Sequence, residues 1–372
     1  MQNPFNPTFG DVPQIYLDNN NRAQQLATDI QQSNYARSIL ITGVRGSGKT
    51  TLLTKTEELL QQDSHCKIID LISNDSISND FLSNLQLITQ TKFEKLFSQL
   101  GINIHDFNIH GVKFDINTVY DHQGPQAASL MMQKIKQQGN YIVVVIDEVT
   151  NNKALREFAQ IFNELKRHHY PIHVLMTGLP DIVLNIQRSD HLTFLLRSQK
   201  EYTHALNNAD IYNAYLQVFE LSDMMIQKMV SLVHGYSYGF QLLGDLAYKA
   251  SIAKNKPLTP GLLNEVSQAY KRYLFSNAYS KIFSDLSPLD KQYLTLAGQH
   301  YSRSEIAQTL NKDPNTISQY RQRALDQKLV IPESRGYVTY TLPFFNQYIQ
   351  SVQNPESMYY EDLGLDPKLT NQ

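Results

Sequence analysis

The sequence has no tryptophan and one cysteine, Cys66, in 372 residues. A single thiol excludes an intrachain disulfide framework, and a reducing compartment is the default expectation. Charge of one sign is missing too: 33 Lys and Arg face 35 Asp and Glu, a formal net charge of −2. There is then no global basic field to draw in nucleic acid or membrane, and any such contact must come from a local surface. Long hydrophobic runs are also absent. The longest ends just before Asp147 and is far too short to span a bilayer. The opening Met-Gln-Asn-Pro-Phe-Asn-Pro lacks the charged start and apolar stretch of a secretory signal. A cytoplasmic location with no membrane partner is the expectation. His168, His169 and His173 cluster where a helix is expected to yield to a strand. A solvated helix C-terminus accounts for the first two better than a metal site, which needs more ligands at regular spacing.

What is present is more specific. Ile39-Leu40-Ile41 reads as a buried strand and runs into Gly43-Val44-Arg45-Gly46-Ser47-Gly48-Lys49-Thr50. This is the G-x-x-x-x-G-K-T phosphate loop. Its glycines let backbone N–H groups close around phosphate oxygens, and the following helix turns its positive end to the same anion. Lys49 is the residue for the β- and γ-phosphates, and the Thr50 hydroxyl is a ligand for Mg²⁺; Thr51 completes the loop. About a hundred residues on, Tyr141-Ile142-Val143-Val144-Val145-Ile146 suits a parallel strand buried on both faces, and it ends in Asp147-Glu148. Carboxylates there emerge at the C-terminal edge of a sheet, where α/β folds bind ligands. Asp147 is the second Mg²⁺ ligand and Glu148 the general base for an attacking water. The expected ligands are ATP and Mg²⁺.

Strands are expected at Ile39–Ile41, Lys67–Leu71, Tyr141–Asp147 and Ile172–Gly178. Helices are expected at Asn21–Gln32, 78–100, Pro125–Gln138 and Asn152–Arg167. Alternation around His110-Gly111 predicts a hairpin over Phe107–Val119. Strand–helix alternation means a parallel sheet covered by helices. From Asp181 to Ser280 no strand signal appears; helical periods cover Asp210–Phe219, Ser222–Val233, Tyr238–Ala253 and Leu262–Phe275. Further on, Ser302–Leu310, a turn at Asn311-Lys312-Asp313 and Pro314–Gln327 form a helix-turn-helix. Lys328–Ile331 and Tyr337–Tyr340 follow as a β-hairpin wing. The expected fold is an α/β P-loop NTPase with a parallel sheet, then an all-α lid and a winged helix-turn-helix. Boundaries are set at 1–180 for the ATPase core, 181–280 for the lid and 281–353 for the winged helix, with a tail at 354–372.

In this order, Phe5-Asn6-Pro7-Thr8-Phe9-Gly10, the Gly43–Thr50 loop, Asp147-Glu148, Met176-Thr177-Gly178-Leu179-Pro180, His234-Gly235-Tyr236-Ser237 and the winged helix resemble bacterial AAA+/STAND-type ATPases. The chain is similar to the archaeal origin-binding initiator ATPases over roughly residues 1–350. The resemblance implies an AAA+ core, with Phe9 and Pro13 near the adenine and Thr177 as the strand-tip sensor of the γ-phosphate. It also implies Gly235 and Tyr236 in the nucleotide-facing motif of the lid. Ser237 stands where proline is common, and Asn21-Arg22 where a Gly-Arg pair is usual. Arg197 is the candidate γ-phosphate arginine, in cis or from a neighbouring copy, with a solvated helix charge as the alternative.

In a helix-turn-helix the second helix offers its N-terminal residues to base edges. Here those are Asn315, Thr316, Ser318 and Gln319, with Arg321 and Arg323 further along. Arg303 and Lys312 are candidates for the DNA backbone, and Arg335 for a minor groove. Residues 281–350 hold eight Lys and Arg against six Asp and Glu. An excess of two means modest, salt-sensitive binding. The favoured expectation is an ATP-driven switch, an ATPase with double-stranded DNA as partner. The alternatives are a nucleotide-held scaffold or defence ATPase whose winged helix binds protein, a homo-oligomer among them, and a small-molecule kinase.

Overall fold

The structure is a computed structural model that describes residues 2–8, 10–90, 116–180, 197–253 and 257–353. The chain divides into two compact units, one of 20–42 and 49–202, the other of 1–19, 43–48 and 203–372.

The first unit is built on a five-stranded parallel sheet. In chain order its elements are α1 (Arg22–Gln31), β1 (Ser38–Thr42), α2 (Lys49–Leu60), β2 (Cys66–Ile72), α3 (Ile77–Thr89), α4 (Ile116–Gln137), β3 (Tyr141–Asp147), α5 (Lys153–Arg167), β4 (Ile172–Gly178) and β5 (Gln199–Tyr202). The strand order is β2-β3-β4-β1-β5, with parallel pairing throughout. Alternate side chains of a strand point to opposite faces. Ile142, Val144 and Ile146 of β3 accordingly join one core with α3, α4 and α5. Val143 and Val145 join the other, with α1 and α2. A strand buried on both faces must be apolar at every position, which is why β3 is so legible.

Two expectations for this unit need correction. The hairpin over 107–119 lies outside the described residues up to 115, and Ile116–Val119 are helical. Helix α4 carries Pro125 in its interior instead of starting there. Interior proline costs about 3 kcal/mol; burial of Ala127, Ala128, Met131, Met132 and Ile135 on the sheet offsets it. The second correction is β5, expected to be strandless. Its Gln-Lys-Glu-Tyr sequence has no apolar signal. Parallel pairing to β1 makes it a strand, and a bidentate ion pair from Arg22 to the buried Glu201 fixes it.

The second unit is helical apart from a small hairpin. It contains α6 (Asn208–Val218), α7 (Asp223–Val233), α8 (Ser237–Ala253) and α9 (Pro260–Leu274). A π-helical turn, Phe275–Tyr279, joins α9 to α10 (Ser280–Ser284). Then come α11 (Pro288–Gly298), α12 (Arg303–Thr309), α13 (Pro314–Asp326), β6 (Val330–Pro332), β7 (Val338–Tyr340) and α14 (Phe345–Gln353). Helix α14 lies where the sequence pattern gives no expectation of an element. The two strands pair antiparallel as a wing. Ser302 and Glu305 form a capping box at α12, and the Asp313 side chain caps α13, with Pro314 in its first turn. One continuous core runs from Leu206 to Ile349, so α6–α9 and the winged helix are packed as one body. Its centre is aromatic: Tyr279 meets Phe345 edge-on at 5.2 Å, and Phe275 meets Tyr348 at 5.3 Å.

The N-terminal segment is part of this helical unit. The Phe5 ring packs 5.7 Å from Tyr215, 5.8 Å from Phe219 and 5.6 Å from Phe240. It lies so close to Gly244 that a Cβ there would approach it to 2.4 Å. Gln241 accepts from the Asn6 amide at 3.0 Å and donates to the Ile15 carbonyl at 2.8 Å. Among the described residues no helix is long and apolar enough to cross a membrane.

Candidate nucleotide site and nucleic-acid interface

The sheet unit supplies a polar cluster at the C-terminal ends of β3 and β4. Lys49 is the first residue of α2 and is buried. The next residue, Thr50, donates its hydroxyl to Asp147 Oδ2 at 3.0 Å, with Oδ1 at 3.3 Å. Asp147 ends β3, so a motif pair separated by 97 residues meets directly. A hydroxyl and a carboxylate are the hard oxygen donors that Mg²⁺ takes, and this pair fits that ion. Asp70 of β2 feels the same charge: burial first, then Asp147, raises its pKa above the usual carboxylate value.

Thr177, the expected γ-phosphate sensor, lies beside Asp147 and Glu148. It is fully buried at the end of β4. Its hydroxyl donates to Asp147 Oδ1 and accepts from the Glu148 amide at 2.9 Å. These two bonds orient the end of β3 and leave the hydroxyl one further lone pair. Glu148 is exposed and sits at φ +51°, a left-handed conformation that costs a non-glycine residue energy. The Thr177 bond and a 3.1 Å bond from the same amide to Asp147 Oδ1 hold it there. The result is a carboxylate on a pinned backbone, directed away from the core.

The loop Gly43–Gly48 belongs to the helical unit. Gly46 and Gly48 adopt φ +76° and +87°, which glycine alone takes without strain. Three consecutive residues at the start of α8 hold the loop. The Tyr236 hydroxyl donates to the Arg45 carbonyl at 2.8 Å, the Ser237 hydroxyl to the Ser47 carbonyl at 3.2 Å, and the Tyr238 amide to the Gly46 carbonyl at 3.0 Å. The Thr203 hydroxyl donates to Ser47 Oγ at 2.7 Å. The approach is tight: a Cβ on Gly46 would sit 2.2 Å from the Tyr236 oxygen, and one on Gly43 1.8 Å from Thr203 Oγ1. In the loop these bonds use carbonyl oxygens and one hydroxyl, whereas phosphate is recognised by amide N–H groups. Holding the loop and binding an anion therefore draw on different atoms.

The remaining candidates fall in several places. Val44 and Thr51 are half-buried. Gly235, at φ +72°, packs against Ala205 and Leu206 and accepts from the Leu206 amide, so its need is for a turn and a close approach. Pro13 is buried in the N-terminal segment and Arg197 is exposed ahead of β5. Phe9 lies outside the described residues. Thr203 and Tyr238 were missed because no motif marks a hydroxyl or an amide that touches the loop only after folding.

In the winged helix, Arg303, Lys312, Asn315, Gln319 and Arg335 are exposed. Thr316 and Ser318 are half-buried, and Ser318 accepts from Arg303 Nη1 at 3.1 Å. Arg321 and Arg323 are not presented as expected. Arg323 pairs through Nε with Asp290 of α11 at 3.4 Å and lies over the Tyr320 ring at 4.3 Å. Arg321 Nε is buried with no hydrogen-bond partner among the described residues, and its charge lies beside Tyr293 of α11. Both arginines are drawn back along α13 by the helix behind it.

Residues 31–184 match the family model of an AAA domain, and residues 276–349 match a domain of unknown function (DUF8462). No curated protein is significantly similar in sequence. Among solved structures, the ORC2 protein of Aeropyrum pernix, in ADPNP and ADP complexes, aligns over 93% of this chain and 96% of its own, with 13% identity and a TM-score of 0.57. The Cdc6p protein of Pyrobaculum aerophilum aligns over 96% and 98% at 13% identity and a TM-score of 0.46. The ORC1 protein of A. pernix, solved in complex with DNA, aligns over 95% and 96% at 11% identity, also with a TM-score of 0.46. The parallel sheet, the helical region and the C-terminal winged helix thus make up an AAA+ P-loop fold like that of the A. pernix ORC2 protein, with residues 31–184 matching the AAA domain model.

Proposed function

We propose that this chain binds and hydrolyses ATP and that its nucleotide state governs DNA binding by the winged helix. The observation that carries the reading is the 3.0 Å bond from Thr50 to Asp147, which joins the two nucleotide motifs in space. In this reading the amides of Gly43–Gly48 and the Lys49 ammonium hold the phosphates, and Thr50 and Asp147 hold Mg²⁺. The ion, when bound, neutralises charge on the β- and γ-phosphate oxygens. Glu148 accepts a proton from the attacking water, its carboxylate aimed by the pinned backbone. The ADPNP and ADP complexes of the A. pernix relative are consistent with such a ligand.

Control of the winged helix follows from packing. The loop is hydrogen-bonded to the start of α8, and the core of α6–α9 continues unbroken into α11–α14. A change at the loop is then communicated within one body. Such a switch needs a ligand that binds two states differently. Hydrogen exchange with ADP and with ADPNP tests this. Different protection at Tyr236–Phe240 and in α11–α13 is expected, and identical patterns would remove the switch. Gel shifts on genomic DNA at low salt test the partner.

A second reading, a nucleotide-held scaffold, is favoured by the charge excess of only two in residues 281–350 and by the exposed Tyr301 and Ile331. Absence of any shift at micromolar protein would move the assignment there.

A further inference from the structure

We infer that the winged helix selects adenine-containing sites in the major groove, read by Asn315 and Gln319, and not guanine. This rests on the proposed DNA-binding function and adds the base chemistry to it. The outward stripe of α13 is formed by Asn315, Gln319 and Gln322, spaced by four and three residues and all exposed. All three are carboxamides. An amide donates through its NH₂ and accepts through its oxygen, which matches the N7 acceptor and N6 donor of adenine. Guanine presents two acceptors there, O6 and N7, which call for the paired donors of arginine or lysine.

The two arginines of the helix have their Nε groups turned away from the stripe. Arg323 pairs through Nε with Asp290 at 3.4 Å and lies over the Tyr320 ring, and the Nε of Arg321 is buried. Gln322 donates to Asp326 at 2.8 Å, which uses one of its two N–H donors and places a carboxylate at the far end of the stripe. Readout is thereby confined to the N-terminal half, the end that helix-turn-helix proteins insert. Lys312 and Arg335 are exposed and suited to phosphate, while exposed Arg303 flanks the stripe through its bond to Ser318.

The test uses the full chain with Mg²⁺ and ADPNP and a library of random 20-base-pair duplexes at low salt. Retained duplexes are expected to share a core of A·T pairs. In that core, 7-deazaadenine, which lacks the N7 acceptor, should weaken binding about tenfold or more at one position. Gln319→Ala should lose the same factor and become indifferent to the deaza base. Gln319 is exposed, so this variant folds. Arg323→Gln should keep the adenine preference, whatever it costs in stability. The slope of log affinity on log salt should be roughly −2, about −0.9 for each of two phosphate contacts. A guanine core, or a preference that follows Arg321 or Arg323, would overturn the inference and leave DNA binding standing. Binding without base preference would do the same. Failure to retain any duplex would remove the DNA reading itself and this inference with it.

Discussion

The two compact units hold their functional groups in place by different means. In the sheet unit, Thr50, Asp147 and Thr177 sit at strand and helix ends whose positions follow from the sheet, and hydroxyl–carboxylate bonds join them. In the helical unit, the phosphate loop is held from outside by Tyr236, Ser237, Tyr238 and Thr203. In the proposed function, the difference separates chemistry from coupling. Groups with a chemical task are confined to residue types that can perform it. Groups that transmit need only a hydrogen bond and a close approach, which many residues can offer.

The comparison is tested most severely at the chemical groups. Lys49→Ala is expected to weaken nucleotide binding by about a hundredfold or more, measured by calorimetry, because a charge-assisted contact is lost. Glu148→Gln should retain ATP yet slow turnover by about 10²- to 10⁴-fold in a phosphate-release assay. Normal turnover in that variant would mean that the base lies elsewhere.

Removing Phe5 separates the two units. Its ring is buried among Tyr215, Phe219 and Phe240, so Phe5→Ala should destabilise the helical unit by about 3–5 kcal/mol in denaturant titrations. Probes in the sheet should shift less. Equal shifts in both units would show that they unfold as one.

The sheet unit has its own weak point in acid. His173 on β4 is buried, and burial first, then the Arg37 charge, lower its pKa from 6.5 to about 4. The Arg37 amide donates to its Nδ1 at 3.3 Å, which requires the neutral ring. Between these values the unfolded chain carries a proton that the folded chain does not. Stability therefore falls as pH drops from 6.5 towards 4, by up to about 3 kcal/mol at 1.36 kcal/mol per pH unit. Urea titrations at pH 7 and pH 4.5 should show a smaller difference in His173→Asn than in the wild type.

The smallest expected effect is at the coupling groups. Tyr236→Phe removes one buried hydrogen bond to the Arg45 carbonyl and should cost about 1 kcal/mol. It should leave ATP affinity within a few-fold and blunt the exchange response of α11–α13 to ADPNP. An undiminished response would place the coupling on other contacts.

What the sequence determined by itself is the set of groups with a narrow chemical specification. Gly43–Thr50 requires glycines at fixed spacing, and β3 requires an apolar residue at every position because both its faces are covered. The helix-turn-helix was legible as two short helices about the turn Asn311-Lys312-Asp313, and the local caps Ser302 and Asp313 fix their starts in the structure. What only the tertiary structure decided is whatever depends on neighbours distant in the chain. Gln199–Tyr202 is a strand because β1 and Arg22 lie beside it. Thr177 faces Asp147, and Arg323 turns to Asp290. Local pattern fixes which atoms a residue has to offer. Their partners are chosen by packing, which the sequence encodes only through the whole chain at once.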